Sequence, residues 1–71
     1  MYRELLGEMV KKGITRKFLA KQLGITPKTL FNKINGITDF SWNEVKKIRD
    51  IVAPNMKIEE LFKKEEIKDA S

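Results

Sequence analysis

The chain has 71 residues, a formal net charge of +5 and 41% hydrophobic residues, and it contains neither cysteine nor histidine. A chain of this length forms one domain with little surplus stability, and the missing thiols and imidazoles argue against an enzyme, so we expect no catalytic residues, no metal site and no cofactor. No apolar run approaches about 18 residues, and charges interrupt the N-terminal stretch MYRELLGEMV, so we expect neither a membrane span nor a signal peptide.

Five helices and no strand are predicted, because no segment alternates apolar and polar residues. The first helix spans about residues 2–12 and ends at Gly13, and Ile14 is expected to anchor the following turn in the core. Apolar residues recur along it at helical spacing, at Leu5, Leu6, Met9 and Val10. The second helix spans about residues 16–23 between Thr15, a good N-cap, and Gly24. Its apolar face consists of Leu19, Ala20 and Leu23.

The third predicted helix spans about residues 27–35, with Thr26 as N-cap and Pro27 at the first position, where its missing N–H costs nothing. Leu30 and Ile34 share one face, and Gly36 ends the helix. Because only residues 24–26 separate the second and third helices, the two must cross steeply, as in a helix-turn-helix.

The fourth predicted helix spans about residues 42–52 and begins with the sequence SWNE, in which Ser41 and Glu44 form a capping box. Its buried stripe is predicted to be Val45, Ile48 and Val52, and Pro54 prevents continuation. The fifth helix spans about residues 58–64, and its apolar residues are Ile58, Leu61 and Phe62. The ordered core should cover about residues 2–64, with a charged tail, 65–71, that frays.

Two aromatic residues flank the start of the fourth helix. Phe40 precedes the Ser41 cap and is predicted to act as a hydrophobic staple. Trp42 follows the cap and is predicted to pack in or near the core, with a contact to a partner as the alternative.

Basic residues are concentrated in the first half of the chain. Residues 1–36 contain eight Lys or Arg and two Glu, a net charge of +6, whereas residues 37–71 carry a net charge of −1. No acidic residue occurs between Lys11 and Thr38. A one-sided basic region is typical of a polyanion-binding face, and a merely solubilising surface is the alternative.

The outer side of the third helix has the chemistry of base recognition. Its polar residues are Lys28, Thr29, Asn32 and Asn35, with Phe31 on the flank. Amides pair with adenine edges, Lys reaches guanine acceptors or phosphates, and an apolar side chain contacts the thymine methyl group. At the start of the second helix, Arg16 and Lys17 oppose the helix dipole, which an external phosphate would offset. The alternatives are an ordinary solvated face and a tolerated cost of about 0.3–1 kcal/mol per charge.

The segment ITRKFLAKQLGITPKTLFNKING, residues 14–36, resembles the helix-turn-helix of the lambda repressor/Cro-like (XRE-type) family of phage and bacterial regulators. Ala20 matches the small residue of the second helix, Gly24 the turn glycine, and Leu30 the buried aliphatic residue of the recognition helix. Downstream, FSWNEVKKIRDIV and IEELF resemble the fourth and fifth helices of the family, so the similarity covers about residues 3–62.

The resemblance implies an all-α, five-helix lambda repressor-like DNA-binding domain over residues 1–71. It implies a transcriptional regulator or repressor, acting in the bacterial cytoplasm at a phage lysis–lysogeny switch, whose third helix enters the major groove of operator DNA. The family's base-reading positions fall on Thr26, Pro27, Lys28, Phe31 and Asn32. Its phosphate contacts fall on Arg16, Lys17, Thr29, Asn35, Gly36 and Thr38.

The sequence departs from the family at several of these positions. Arg16 replaces a common Gln and favours a phosphate or a guanine over adenine. Pro27 has no side-chain hydrogen-bonding group, and Ile37 stands where a basic residue often follows the glycine. Phe18 and Phe31 are bulkier than is usual there. These departures favour an alternative, a modulator or antirepressor that binds a partner repressor protein.

The resemblance also implies a possible homodimer, because the family often pairs subunits through its last helix. The candidate contacts are Ile58, Leu61, Phe62 and Ile67, with core packing as the alternative for Leu61 and Phe62.

Overall fold

The computed structural model describes residues 2–64, which form five α-helices and no strand. The helices are α1 (Arg3–Lys12), α2 (Arg16–Leu23), α3 (Pro27–Ile34), α4 (Trp42–Val52) and α5 (Ile58–Leu61). The prediction of an all-α chain is therefore confirmed over this range. The predicted fraying of the tail and a dimer contact through Ile67 lie outside the described residues. None of the helices in residues 2–64 has the length and hydrophobicity needed to cross a membrane.

Local signals in the sequence set most of the helix ends. The hydroxyl groups of Thr15, Thr26 and Ser41 each accept a hydrogen bond from the backbone N–H three residues ahead. The Glu44 carboxylate in turn accepts the N–H of Ser41 at 2.8 Å, which completes the predicted capping box. Gly13 adopts a left-handed conformation with φ 65° at the end of α1. These contacts join residues close in sequence, which is why the sequence alone predicted them.

The seven largest fully buried side chains come from all five helices and form one core: Leu5, Leu19, Leu30, Ile34, Ile48, Val52 and Leu61. Helix α4 is central, because it packs against α1, α2 and α5. Within residues 2–64, the backbone of α3 comes close to that of α2 but not to that of any other helix. Helix α3 therefore lies at the periphery of the bundle, where its outer side remains open.

Some apolar side chains are less buried than expected: Val45, predicted to lie in the buried stripe of α4, is only partly buried. Val10, placed with the apolar residues of α1, is 81% exposed because it lies about 100° around the helix from the buried Met9. Trp42, predicted to pack in or near the core, is 63% exposed. It precedes the buried Ile48 by six residues, which places the two side chains about 120° apart on α4.

An aromatic cluster joins three distant parts of the chain. The rings of Tyr2, Phe40 and Phe62 lie with their centroids 5.4–5.6 Å apart in tilted or edge-to-face arrangements. Helix α5 is shorter than predicted, because Phe62 follows it as the C-cap and packs into this cluster. Since Leu61 is fully buried as well, two of the three candidate dimer residues in the described range are packed in the core of the single chain.

Candidate nucleic-acid interface

The connection between α2 and α3 has a defined backbone geometry. The N–H of Ile25 donates to the carbonyl of Ala20 at 3.0 Å, and the N–H of Gly24 donates to that of Lys21 at 3.2 Å. This is the hydrogen-bond pattern of a Schellman motif, and Gly24 supplies its left-handed residue with φ 71°. A Cβ atom on Gly24 would meet nothing within 4 Å, so the position requires glycine for its conformation and not for space. Ala20, in contrast, is fully buried.

Helix α3 buries only Leu30 and Ile34, as its sequence pattern predicts. Lys28 is exposed, Phe31 is 47% exposed and Asn32 is half-buried. These three side chains lie within about one turn of one another on the open part of the helix. The predicted base-reading positions Lys28, Phe31 and Asn32 are therefore brought together.

The other two predicted base-reading residues, Thr26 and Pro27, have no free side-chain donor for a hydrogen bond to a base. The Thr26 hydroxyl accepts the N–H of Thr29 at 3.1 Å and donates to the Thr29 hydroxyl at 2.9 Å. Its single proton is therefore used within the cap, and Pro27 has no donor at all. The Thr29 hydroxyl keeps its own proton and can donate it outward, which suits the phosphate contact predicted for Thr29.

Arg16 meets α3 across the helix pair. Its guanidinium carbon lies 5.9 Å from the centroid of the Phe31 ring, within the range of a cation–π interaction. The family resemblance implies a phosphate contact for Arg16 and a base contact for Phe31, but the proximity of the two side chains was not predicted. The contact depends on how α2 and α3 cross, which the spacing of residues within each helix does not reveal.

Some basic residues in the first half of the chain form ion pairs with carboxylates, and others do not. Lys11 and Lys12 both pair with Glu8, and Lys12 also donates to the carbonyl of Val52 at the end of α4. The hydrogen bond from Lys11 lowers the pKa of Glu8. Within residues 2–64, no carboxylate pairs with the cations of α2 or with Lys28; these cations are Arg16, Lys17, Lys21 and Lys28. The available charge therefore lies on α2 and α3.

Lys33 is not part of this available charge. Its ammonium donates to the Glu44 carboxylate at 2.9 Å and to the carbonyl of Asp39 at 3.1 Å, and its side chain is only 16% exposed. Burial acts to raise the pKa of Glu44, but hydrogen bonds from the Ser41 N–H and from Lys33 outweigh it and hold that pKa below the ordinary value of 4.5. Lys33 thus ties the end of α3 to the start of α4.

The loop after α3 has fewer free hydrogen-bond donors for phosphate contacts than the sequence predicts. The N–H of Gly36 donates to the carbonyl of Lys33, and the Asn35 side-chain amide donates to that of Phe31. The predicted phosphate contact at Gly36 therefore lacks a free backbone N–H, and Asn35 has one of its two amide protons in use. Thr38 is exposed, and so is the neighbouring Ile37, at 68%.

A second region of interest is an open groove of about 470 Å³ between the end of α2 and α4. It is lined by Leu23, Asn43, Glu44, Lys46, Lys47 and Asp50. Within residues 2–64, no three acidic, cysteine or histidine side chains converge as metal ligands would.

Comparison with known proteins gives no relative. No protein-family model, curated protein or solved structure matches the chain.

Proposed function

We propose that this chain is a sequence-specific DNA-binding transcriptional regulator of the lambda repressor/Cro-like helix-turn-helix type. The proposal depends above all on the surface of α2 and α3. That surface carries Arg16, Lys17, Lys21 and Lys28 without a carboxylate partner within residues 2–64. Because the sequence has no acidic residue between Lys11 and Thr38, nothing on these helices repels a phosphate backbone.

The dimensions of α3 suit the major groove. An α-helix with its side chains is about 10–12 Å across, close to the width of that groove, and the eight residues of α3 extend about 12 Å along it. Lys28 and Asn32 are one turn apart, about 6 Å along the helix, so they would reach neighbouring base pairs. Lys17 and the Thr29 hydroxyl would contact phosphates on either side. Helix α3 can enter the groove because its outer side is not covered by another helix of the described chain.

One copy presents a short recognition helix, so we expect two copies to bind a roughly palindromic operator with half-sites about 34 Å apart. Leu61 and Phe62 are packed in the core and are poorly placed to hold such a pair together. Pairing would then form mainly on the DNA, so binding should rise steeply with protein concentration.

The test is a double substitution, Lys28→Ala with Asn32→Ala. Selection from duplexes with a randomised centre would first identify the preferred site of the unsubstituted chain. Losing two base contacts should weaken binding to that site by about 2–4 kcal/mol per monomer. Unchanged affinity for the selected site would contradict the proposal.

A matched control changes one exposed lysine and one exposed asparagine outside the proposed interface. Lys57→Ala with Asn55→Ala removes the same two side-chain types just before α5. This variant should keep the site preference.

A salt titration tests the phosphate contacts. The logarithm of the binding constant should fall with the logarithm of the salt concentration, with a slope of about −0.9 per phosphate contact. Lys17→Ala, which removes a proposed phosphate contact, should show a shallower slope.

A second candidate function is supported by exposed apolar side chains. Phe18 and Phe31 are 48% and 47% exposed, and Ile37 and Trp42 are 68% and 63% exposed. Aromatic residues are enriched in protein interfaces, so these side chains suit a modulator that binds a partner repressor and alters its DNA binding. Titrating DNA with and without a repressor encoded beside this chain separates the two functions. Weak binding to DNA alone, together with a stable complex with that repressor, would favour the modulator.

A further inference from the structure

The cation–π pair of Arg16 and Phe31 links the two helices of the proposed interface. Arg16 is the first residue of α2, and Phe31 lies in the middle of α3. The guanidinium lies over the ring, with its central carbon 5.9 Å from the centroid. The cation at the start of α2 is therefore drawn onto the helix proposed to read bases.

The contact with the ring leaves the hydrogen-bonding capacity of Arg16 intact. A cation–π interaction uses the charge of the guanidinium and none of its five N–H donors. Within residues 2–64, those N–H groups form no hydrogen bond or ion pair with the protein. The fork of an arginine is planar and pre-organised, so less conformational entropy is lost per hydrogen bond when it binds. Such a fork matches the O6 and N7 acceptors of guanine.

Phe31 remains accessible to a ligand although the guanidinium of Arg16 lies over its ring. With 47% of the residue exposed, part of its ring is open to a ligand. The apolar group that the major groove offers to such a ring is the C5-methyl group of thymine. Because the guanidinium carbon and the ring centroid are 5.9 Å apart, the two side chains would reach base pairs one or two steps apart, at about 3.4 Å per step.

We propose that Arg16 and Phe31 act as one base-reading unit, in which Arg16 recognises a guanine and Phe31 contacts the methyl group of a nearby thymine. This assigns base reading to Arg16, in place of the phosphate contact implied by the family resemblance. The inference rests on the proposed DNA-binding function and defines the sequence that the interface prefers.

The test compares site preferences after selection from duplexes with a randomised centre. Arg16→Lys keeps the charge but removes the planar fork. It should abolish the preference for guanine at one position of each half-site, a loss of roughly 5- to 150-fold in discrimination. The preference at the other positions should remain. Lys17→Ala is the matched control, since it removes the adjacent exposed cation and should weaken binding to all sequences equally.

The methyl contact is tested on the DNA. Replacing the selected thymine by deoxyuridine removes only the methyl group and should weaken binding of the unsubstituted chain. The same replacement should have no effect on Phe31→Ala. Because Phe31 is half exposed, this variant should fold, which circular dichroism would verify.

The outcomes separate the inference from the proposed function. If the unsubstituted chain selects no sequence and shows no salt-dependent binding, the proposed function fails. If it selects a site but Arg16→Lys retains every base preference, Arg16 is a phosphate contact and the inference fails alone. A selected site without guanine, or an equal effect of deoxyuridine on Phe31→Ala, would also overturn the inference.

Discussion

Replacing Glu44 by Gln should destabilise the fold in a pH-dependent way. One carboxylate oxygen of Glu44 accepts the Ser41 N–H at 2.8 Å and the Lys33 ammonium at 2.9 Å. The carboxylate is 17% exposed and its partner 16%, so both are largely shielded from water. Gln retains an acceptor oxygen but lacks the charge that strengthens both hydrogen bonds.

The expected loss follows from these contacts. A hydrogen bond involving a charged group contributes about 1.5–3 kcal/mol, and a capping interaction about 1 kcal/mol. Since Gln preserves part of each contact, Glu44→Gln should cost about 1–2 kcal/mol near neutral pH. This corresponds to a decrease in Tm of roughly 4–15 °C for a domain of this size.

The sign of the pH dependence follows from the direction of the pKa shift. The pKa of Glu44 in the folded chain lies below the ordinary value of 4.5. The stabilisation is therefore fully present above that ordinary value and is lost as the pH falls through the folded pKa. The difference in unfolding free energy between the unsubstituted chain and Glu44→Gln should be constant above about pH 5.5 and shrink in more acidic solution.

Urea unfolding followed by far-ultraviolet circular dichroism at several pH values would measure this difference. Glu59→Gln is a suitable control, because Glu59 is an exposed carboxylate on α5. A second variant, Lys33→Met, completes a double-mutant cycle whose coupling energy should exceed about 0.5 kcal/mol. A Glu44→Gln difference that stays constant into acidic solution would refute the assigned role of the carboxylate.

Three further predictions concern stability, each measured by urea unfolding. Gly24→Ala should cost about 1–2 kcal/mol because φ is 71° there, and Gly24→Asn should cost less; equal losses would contradict a purely conformational requirement. Phe62→Ala should cost about 2–3 kcal/mol through lost burial and two ring contacts, and a loss below about 0.5 kcal/mol would show that the cluster is not stabilising. Trp42→Ala should change stability by less than about 0.5 kcal/mol, since the residue is 63% exposed, and a larger loss would indicate packing that its exposure does not show.

The sequence by itself determined the class of fold and nearly all of the helix ends. Thr15, Thr26 and Ser41 accept hydrogen bonds from residues three positions ahead, and Gly13 and Gly24 adopt left-handed conformations where the sequence indicates helix ends. The buried and open sides of α3 were also predictable, because they follow from helical spacing. All of these features depend on neighbours within one or two turns.

The tertiary structure alone decided which charges and aromatic rings remain available. Lys33 pairs with Glu44 eleven residues away, so a cation counted with the basic half is not available to a ligand. Likewise, Phe62 packs against Tyr2, and Arg16 lies over Phe31. Such contacts depend on how the helices cross and on the loops that join them. Helical periodicity gives the direction of a side chain on its own helix, but not the partner it meets on another.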